Sequence, residues 1–378
     1  MKDVSCVSRS IGLWVWASML IGIALFGCDA AEPIRIGFVG GTSGRVADLG
    51  ISGRDAVQLV VERCNRNGGI HGREVQLLVK DDKQDPDLAR KAVRELIGDN
   101  VAAIIGPMTS DMGIAVVPLL NEAHIIAVSP TVTTQQLSGL DDYFFRTCAT
   151  AFDYATKSAK YHIKTADMRR VAAVYDLNNR SFCENWLKHF TIAFNAGGGE
   201  ILTSIGFRAN EERTFMDITR ELMALGPDGI LVISNSMDAA MFCQQIRKID
   251  HAIPITLADW GATERLLELG GSAVEGVTVV QTFDRDNRSP SYQDYREVYM
   301  ARYNREPGFP GVFAHDAAQV VLTALREKKE GQDLKETILQ KRRFEGLQNE
   351  ITFDDFGDVN RSYASISVVR NRKFFVLE

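Results

Sequence analysis

The sequence predicts an α/β protein built from two doubly wound parallel-sheet lobes. Short apolar segments alternate with amphipathic helices from residue 34 onwards, and this rhythm restarts near residue 170. The apolar segments are nearly continuous, which is typical of strands covered by helices on both faces of a parallel sheet. Roughly 350 residues follow an apolar N-terminal segment, a length that suits two domains.

The first lobe is predicted to alternate four strands with three helices. The strands are predicted at 34–39, 75–79, 101–105 and 125–128. The first helix has apolar residues at 3–4 spacing and stops at Asn67-Gly68-Gly69. The second begins at Asp85-Pro86, because Asp caps free backbone N–H groups and Pro fits the first turn. The third covers residues 112–122.

The second lobe repeats this alternation. Its strands are predicted at 171–175, 201–207, 229–233, 255–258 and 277–281, and its helices at 182–194, 214–224 and 237–249. Further helices are predicted at 292–303, 311–327 and 334–340, and further strands at 350–353, 365–369 and 373–377. Helices that follow a completed sheet need an apolar surface, so the chain is expected to return to the first lobe.

The segment before the first lobe has the features of an export signal. Lys2 and Arg9 precede an apolar stretch over residues 11–26, which ends at Gly27 and Cys28. The stretch is shorter than the ~20 residues that span a bilayer. A cysteine after a small residue resembles a bacterial lipobox, in which the thiol is lipidated and the signal is removed. Residues 1–27 are therefore predicted to be a lipoprotein signal peptide and 28–32 a linker; an ordinary cleaved signal or an uncleaved anchor is the alternative.

Composition and motifs exclude several classes of protein. Hydrophobic residues make up 45% and charged residues 24%, as in ordinary soluble domains, and the net charge of −6 argues against a nucleic-acid partner. No GxSxG or HExxH motif occurs. The glycines after the first strand do not have the GxGxxG spacing of a dinucleotide-binding site. The sequence therefore predicts no enzyme, no catalytic residue and no cofactor.

Four cysteines remain after the predicted signal peptide: Cys64, Cys148, Cys183 and Cys243. No CxxC pair and no histidine at ligand spacing accompanies them, so no metal site is predicted. An exported protein can oxidise its cysteines. The sequence leaves open whether these four pair, in any of three ways, or remain buried thiols.

Short motifs occur in a characteristic order along the chain. They are Ile36-Gly37-Phe38, Ser43-Gly44, Asn67-Gly68-Gly69-Ile70-His71-Gly72, Lys80-Asp81-Asp82, Asp85-Pro86, Ile105-Gly106-Pro107, Ser129-Pro130, Phe145-Arg146-Thr147, Phe353-Asp354 and Gly357-Asp358. In this order they resemble the type I periplasmic binding proteins, and within them the family of the leucine/isoleucine/valine-binding protein. The resemblance covers the chain from about residue 33 to the C-terminus.

This resemblance implies two lobes joined by three crossovers, with a ligand in the cleft between them. It assigns residues 33–147 plus 282–348 to lobe 1, and residues 148–281 plus 349–378 to lobe 2. Such lobes close on a ligand by a hinge motion, and the closed state is what a partner recognises.

Hydroxyl residues follow two strands of lobe 1, at the edge where parallel sheets bind ligands. Thr109 and Ser110 precede the third helix, and Thr131 and Thr133 follow the fourth strand. Hydroxyls and free N–H groups at helix N-termini suit a carboxylate. In the family, the positions matching Ser110, Thr131 and Thr133 hold the α-carboxylate of the ligand. On position alone, these hydroxyls would only cap helices.

Asp259 and Trp260 follow the strand 255–258 of lobe 2, where the family supplies a carboxylate for the ligand's ammonium group. Trp260 aligns with the acidic position. Asp259 is therefore expected to take that role, or Trp260 to stack on a cation or ring; capping by Asp259 and packing by Trp260 is the alternative.

Two further residues of lobe 2 occupy positions that are often aromatic in the family. Arg180 can form a bidentate pair with a second acidic group of the ligand, or lie in an exposed loop. Asn235 also makes the site more polar than a leucine pocket. Branched-chain specificity is therefore not carried over.

Together these features predict an extracytoplasmic solute-binding protein that captures an amino acid or related small polar solute and delivers it to an ABC permease. The protein is predicted to be a monomer that a lipid on Cys28 anchors to the membrane. Asp29 resembles the signal that keeps some lipoproteins in the inner membrane. The alternative is a ligand-sensing receptor subunit that feeds a membrane kinase or chemoreceptor.

Overall fold

The computed structural model describes residues 32–165, 168–209, 211–359 and 363–378, and Ile34–Glu378 form one compact unit. The predicted signal peptide and Cys28 lie outside the described residues. The strands are β1 Ile34–Gly40, β2 Val75–Asp81, β3 Ile104–Ile105, β4 Ala127–Ser129, β5 Phe144–Arg146, β6 Arg170–Asp176, β7 Glu200–Phe207, β8 Gly229–Ile233, β9 Ile255–Leu257, β10 Thr278–Gln281, β11 Arg343–Phe344, β12 Ile351–Thr352, β13 Ser365–Arg370 and β14 Lys373–Val376.

Helices alternate with these strands. They are α1 Ala47–Arg66, α2 Pro86–Gly98, α3 Ser110–Ala123, α4 Ala151–Thr165, α5 Arg180–Ala196, α6 Phe215–Ala224, α7 Ser236–Ile249, α8 Glu264–Gly270, α9 Pro290–Tyr303, α10 Gly308–Glu327 and α11 Leu334–Lys341. Short 3₁₀ helices cover Gly44–Val46, Gln135–Leu137, Leu177–Asn179, Asp259–Gly261 and Gly271–Val274.

Two parallel-dominated sheets form the centres of two lobes. The sheet of lobe 1 has the order β2-β1-β3-β4-β5, with every pair parallel. The sheet of lobe 2 has the order β14-β13-β10-β9-β8-β6-β7, in which β7 to β10 are parallel and β13 and β14 are antiparallel. The first five strands of each sheet follow the same winding order, so the predicted doubly wound α/β fold is confirmed.

Local sequence explains where several helices begin. The Asp85 side chain accepts hydrogen bonds from the N–H groups of Asp87 and Leu88 at 2.8 and 2.9 Å, with Pro86 in the first helical position. The Thr214 hydroxyl and Asp217 carboxylate form a reciprocal capping box at the start of α6. The third strand is shorter than predicted and covers only Ile104 and Ile105, although the Ala102 N–H also donates to the Arg35 carbonyl of β1 at 2.7 Å and the Ala103 carbonyl accepts from the Gly37 N–H at 2.9 Å.

The chain crosses between the sheets three times. It leaves the first sheet after β5, leaves the second after β10, and rejoins the second at β13. Between the last two crossings, α10 packs against α1. The preceding helix α9 also contacts α1, because the hydroxyls of Tyr299 on α9 and Ser52 on α1 lie 3.2 Å apart. The helices after β10 therefore cover the apolar face of the lobe 1 sheet.

The last crossover follows a segment that contacts β5. The Phe353 ring packs 5.4 Å from the ring of Phe145, and Asp358 accepts a hydrogen bond from the buried Arg146 guanidinium at 2.6 Å. We therefore propose that lobe 1 extends to Asp358, beyond the boundary at residue 348 that the resemblance implies.

The four cysteines of the described chain are free, buried thiols: Cys64, Cys148, Cys183 and Cys243. Burial raises the pKa of the Cys148 and Cys243 thiols to about 12. They are therefore neutral at physiological pH. None of the helices described is long and apolar enough to cross a bilayer.

Candidate functional site

The carboxyl ends of the two sheets meet at a small cavity between the lobes. Its walls include Thr109 and Thr131, which follow β3 and β4, and Asp259 and Trp260, which follow β9. Its remaining lining residues are Leu49, Met108, Asn179, Phe182 and Phe309. The cavity has a volume of about 20 Å³, which is close to the space one water occupies. A solute can therefore enter only when the lobes separate.

The lobe 1 side of this region carries hydroxyl groups that lack hydrogen-bond partners. Ser110 and Thr133 are buried, and neither Ser110 Oγ nor Thr133 Oγ1 has a partner among the described residues. Leaving such a group unpaired costs about 1–3 kcal/mol. The sequence predicted both as carboxylate-binding residues. They stand next to the lining residues in the chain but do not themselves line the cavity.

The other two predicted residues of lobe 1 line the cavity. Thr131 Oγ1 donates to the backbone carbonyl of Met108 at 2.5 Å, so that bond already uses its hydrogen. Thr109 is the N-cap residue of α3, and its side chain makes no capping hydrogen bond. Contrary to the capping interpretation, neither Thr109 nor Ser110 uses its hydroxyl to cap α3, and Thr133 Oγ1 caps no helix among the described residues.

The lobe 2 side carries one buried acid. Asp259 begins the 3₁₀ helix after β9 and is 4% exposed. Its Oδ1 accepts a hydrogen bond from the indole Nε1 of Trp186, which lies 2.9 Å away. A carboxylate can accept about four hydrogen bonds, so this contact leaves capacity for a ligand donor.

Burial controls the charge of Asp259. Loss of solvation raises the pKa of its carboxyl to about 7, and the hydrogen bond from Trp186 opposes this rise. Asp259 is also the one charged residue among those that line the cavity. A ligand ammonium group would supply the opposite charge that this buried carboxylate lacks.

Aromatic and apolar side chains complete the cavity. The Trp260 ring packs edge-to-face against Phe182, with centroids 5.5 Å apart. Sequence reasoning missed Phe182 and Phe309, along with Leu49 and Met108. A signal for Phe182 was available in the sequence. Arg180 occupies a position that is often aromatic in the family, and Phe182 is an aromatic residue only two positions later.

Arg180 and Asn235 do not line the cavity. The Arg180 side chain is 65% exposed and pairs with Glu184 one helical turn away at 2.6 Å. Asn235 is buried and caps α7, accepting from the N–H of Asp238 at 3.0 Å and donating to its carboxylate at 2.7 Å. The structure thus gives both residues intramolecular partners.

Direct hydrogen bonds join the two lobes beside the cavity. The Asp111 carboxylate of lobe 1 accepts from the N–H groups of Arg180 and Ser181 at 2.9 and 2.8 Å. In return, Asn179 Oδ1 accepts from the Asp111 N–H at 3.1 Å. Residues of one lobe therefore cap the helix of the other, at the N-termini of α3 and α5.

A second set of interlobe contacts lies at another cavity of about 270 Å³. Asp48 accepts from the hydroxyls of Ser236 and Thr263 at 2.5 and 2.6 Å, and Arg45 pairs with Asp238. This cavity is larger, but its charged groups already have protein partners. We therefore assign the candidate ligand site to the small cavity, because Asp259 lines it and the unpaired hydroxyls of Ser110 and Thr133 lie one and two residues along the chain from its lining residues Thr109 and Thr131.

Two α/β lobes closed over such groups define a two-lobed solute-binding protein. The family model for periplasmic binding proteins matches residues 33–373, and the chain belongs to that family. This confirms the resemblance to the type I periplasmic binding proteins of the Leu/Ile/Val-binding group.

Individual relatives are distant in sequence and close in fold. The Leu/Ile/Val-binding protein BraC3 of Rhizobium johnstonii is 24% identical over 327 residues, 82% of this chain and 88% of the relative. The branched-chain amino acid binding protein of Streptococcus pneumoniae, solved with isoleucine, has a TM-score of 0.83 at 23% identity over 91% of this chain and 99% of its own. A solute-binding protein of R. palustris, solved with benzoate, has a TM-score of 0.81 at 19% identity over 91% and 95%.

Proposed function

We propose that this protein is an extracytoplasmic solute-binding protein which captures an amino acid or a related small polar solute between its lobes. One observation supports this most strongly. Within the described part of the chain, buried hydroxyls without partners lie on the lobe 1 side, and a buried acid without a cation lies on the lobe 2 side. A zwitterion with a carboxylate and an ammonium group complements this pair of surfaces.

The ligands of two solved relatives are consistent with this proposal. Isoleucine and benzoate, found in those two proteins, share a carboxylate and differ in whether an ammonium group accompanies it. The hydroxyls near Ser110 and Thr133 provide donors for the shared carboxylate. Asp259 provides the acceptor that only the amine-bearing solute requires.

Closure of the lobes supports a role in delivery. The interlobe bonds of Asp111 and Asp48 exist only while the lobes are together, since each joins residues of different sheets. Ligand that stabilises the closed state shifts the population toward it. An ABC permease that recognises the closed state would thereby select loaded protein.

A thermal-shift screen tests the binding proposal. L-amino acids and amine-free carboxylates are added to the mature protein, and a solute at 100 times its Kd should stabilise the fold by about 2.7 kcal/mol. The Ser110→Ala/Thr133→Ala double variant should fold and lose that shift. If no amino acid or carboxylate shifts the unfolding temperature, or if the double variant keeps the full shift, the proposal is wrong.

We also propose that lipidation of Cys28 anchors the protein at the membrane. Metabolic labelling with a fatty-acid analogue should label the wild type and the Cys6→Ser control, and should fail for Cys28→Ser. Fractionation of the labelled protein to the inner membrane would support the role suggested for Asp29. Recovery in the outer membrane or free in the periplasm would contradict it.

A further inference from the structure

Trp186 is the residue that contacts the acid of the proposed site from inside the core of lobe 2. It lies on α5, is fully buried, and donates its indole N–H to Asp259 Oδ1 at 2.9 Å. An indole nitrogen is only a donor. The Trp186 indole can therefore bond to Asp259 Oδ1 only while that oxygen acts as an acceptor. A neutral Asp259 carboxyl would not be able to direct its own proton into this contact.

Aromatic packing fixes the position of this donor. The Trp186 ring stacks on Phe190 with centroids 5.5 Å apart and planes 16° apart, and Phe190 stacks on Phe194 at 5.1 Å and 22°. These residues are four apart, so they lie along one face of α5. All three are fully buried. The indole N–H is thus held by a packed row of rings.

The two buried thiols that interact with Asp259 are neutral. The pKa of Cys148 is raised by burial to about 12, and burial also raises the pKa of Cys183 well above its usual range, with Asp259 contributing to both shifts. Arg146, which acts on Cys148, is paired with Asp358 at 2.5 Å. The Trp186 hydrogen bond is therefore the side-chain interaction that favours the ionised form of Asp259.

We propose that Trp186 is a positioning residue, which holds the Asp259 carboxylate as an acceptor for a ligand ammonium group and so selects amine-bearing acids over amine-free ones. This inference rests on the proposed function of the same site. Without the indole N–H, Asp259 would be protonated over a wider pH range. It would then present a hydroxyl donor, which suits an amine-free acid better than an ammonium group.

Matched ligand pairs test this selection. Leucine and 4-methylpentanoate, and phenylalanine and 3-phenylpropanoate, differ within each pair only by the α-ammonium group. Their affinities are measured by calorimetry from pH 5.5 to 8.5 for the wild type, Trp186→Phe and Phe190→Leu. The Phe variant keeps an aromatic ring and removes the N–H, while Phe190→Leu disturbs the same stack and keeps the N–H.

In the wild type, we expect the amine-bearing member of a pair to bind more tightly, with a preference that grows as pH rises through 7. In Trp186→Phe that preference should fall about tenfold at pH 7, and its midpoint should move to higher pH. Phe190→Leu should change both members equally. An unchanged preference in Trp186→Phe, or an equal loss of preference in Phe190→Leu, would overturn the proposal.

A ligand-free measurement separates this inference from the proposed function. The ¹³C carboxyl resonance of Asp259, identified by its loss in Asp259→Asn, should titrate with a higher midpoint in Trp186→Phe than in the wild type. In the wild type, which retains the indole, the Trp186 indole N–H resonance should shift with the same pH midpoint as the Asp259 carboxyl resonance. If no ligand pair binds, the proposed function fails; if these resonances do not titrate together, the inference fails.

Discussion

The two lobes carry different unsatisfied polar groups in and beside the cavity. On the lobe 1 side, the hydroxyls of Ser110 and Thr133 have no partner among the residues that the structure describes, so an acceptor from outside the protein would satisfy them. On the lobe 2 side, Asp259 already accepts a hydrogen bond from Trp186 but has no cation. We therefore propose that lobe 1 recognises an anionic group in general, whereas lobe 2 determines whether a cationic group must accompany it.

Replacing the acid should have the largest effect. Asp259→Asn keeps the shape and removes the charge, and losing one partner of a buried charge pair costs about 2–5 kcal/mol. Leucine or phenylalanine should lose about 30-fold or more in affinity by calorimetry, whereas the amine-free partner should lose less. Equal losses for both members of a pair would show that Asp259 does not recognise the ammonium group.

Replacing a hydroxyl of lobe 1 should weaken both kinds of ligand equally. Thr133→Val keeps the branched shape and removes a donor to a charged group, which is worth about 1.5–3 kcal/mol. Its unfolding temperature should not fall, since Thr133 Oγ1 has no partner to lose.

Thr134→Val is the matched control for this change. Thr134 Oγ1 accepts from the N–H of Gln136 at 3.3 Å and caps a 3₁₀ helix. The control should lose stability and keep its affinity. A Thr133→Val protein with unchanged affinity would remove this hydroxyl from the site.

The pH dependence of folding stability tests the Asp259 side of the cavity without any ligand. The folded pKa of Asp259, about 7, lies above its unfolded value of about 3.9, so the folded state holds the proton more tightly. Stability is therefore lost as pH rises toward 7. Asp259→Asn lacks this loss, so its stability relative to the wild type should rise by about 3 kcal/mol between pH 5 and pH 8. Chemical denaturation at both pH values measures it, and a pH-independent difference would contradict the assignment.

Breaking an interlobe cap should have the smallest effect. Asp111→Ala removes the acceptor for two N–H groups of the opposite lobe, and losing a cap costs about 0.5–2 kcal/mol. Affinity should fall about fivefold for both members of a ligand pair, and X-ray scattering should show a larger open population. Asp87→Ala, at a helix N-terminus within one lobe, should leave affinity unchanged. Equal effects of the two variants would argue against the interlobe role.

Sequence patterns predicted most of the fold because they record burial locally. Continuous apolar runs and helical spacing correspond to most strands and helices of both lobes, and Asp85-Pro86 marks the start of α2 as observed. The short strand β5 and the helix α4 were not predicted. The strand predicted at 101–105 covers only Ile104–Ile105 in the structure, although Ala102 and Ala103 also form backbone hydrogen bonds with β1. The apolar run therefore marked the segment that joins the sheet, and only the strand bounds differ.

The sequence also predicted part of the candidate site, because the ends of strands can be located from the same local patterns. Thr109, Thr131, Asp259 and Trp260 follow strand ends, which a parallel sheet brings to one edge, and all four line the cavity. Arg180 and Asn235 also follow strand ends. Whether the side chain of such a residue is available to a ligand depends on its contacts within the protein. The Arg180 side chain pairs with Glu184, and the Asn235 side chain bonds to Asp238.

By itself, the sequence determined the two-lobed α/β class, the family and the strand ends where ligand-binding groups cluster, because these follow from periodicity and from motifs in order. Only the tertiary structure decided that Ser110 and Thr133 lack partners, that Trp186 holds Asp259, and that Asp111 caps a helix of the other lobe. These contacts join residues about 70 positions apart. No local pattern encodes such pairs, because the Trp186–Asp259 contact depends on the packing of α5 within lobe 2 and the Asp111 contact depends on how the two lobes close.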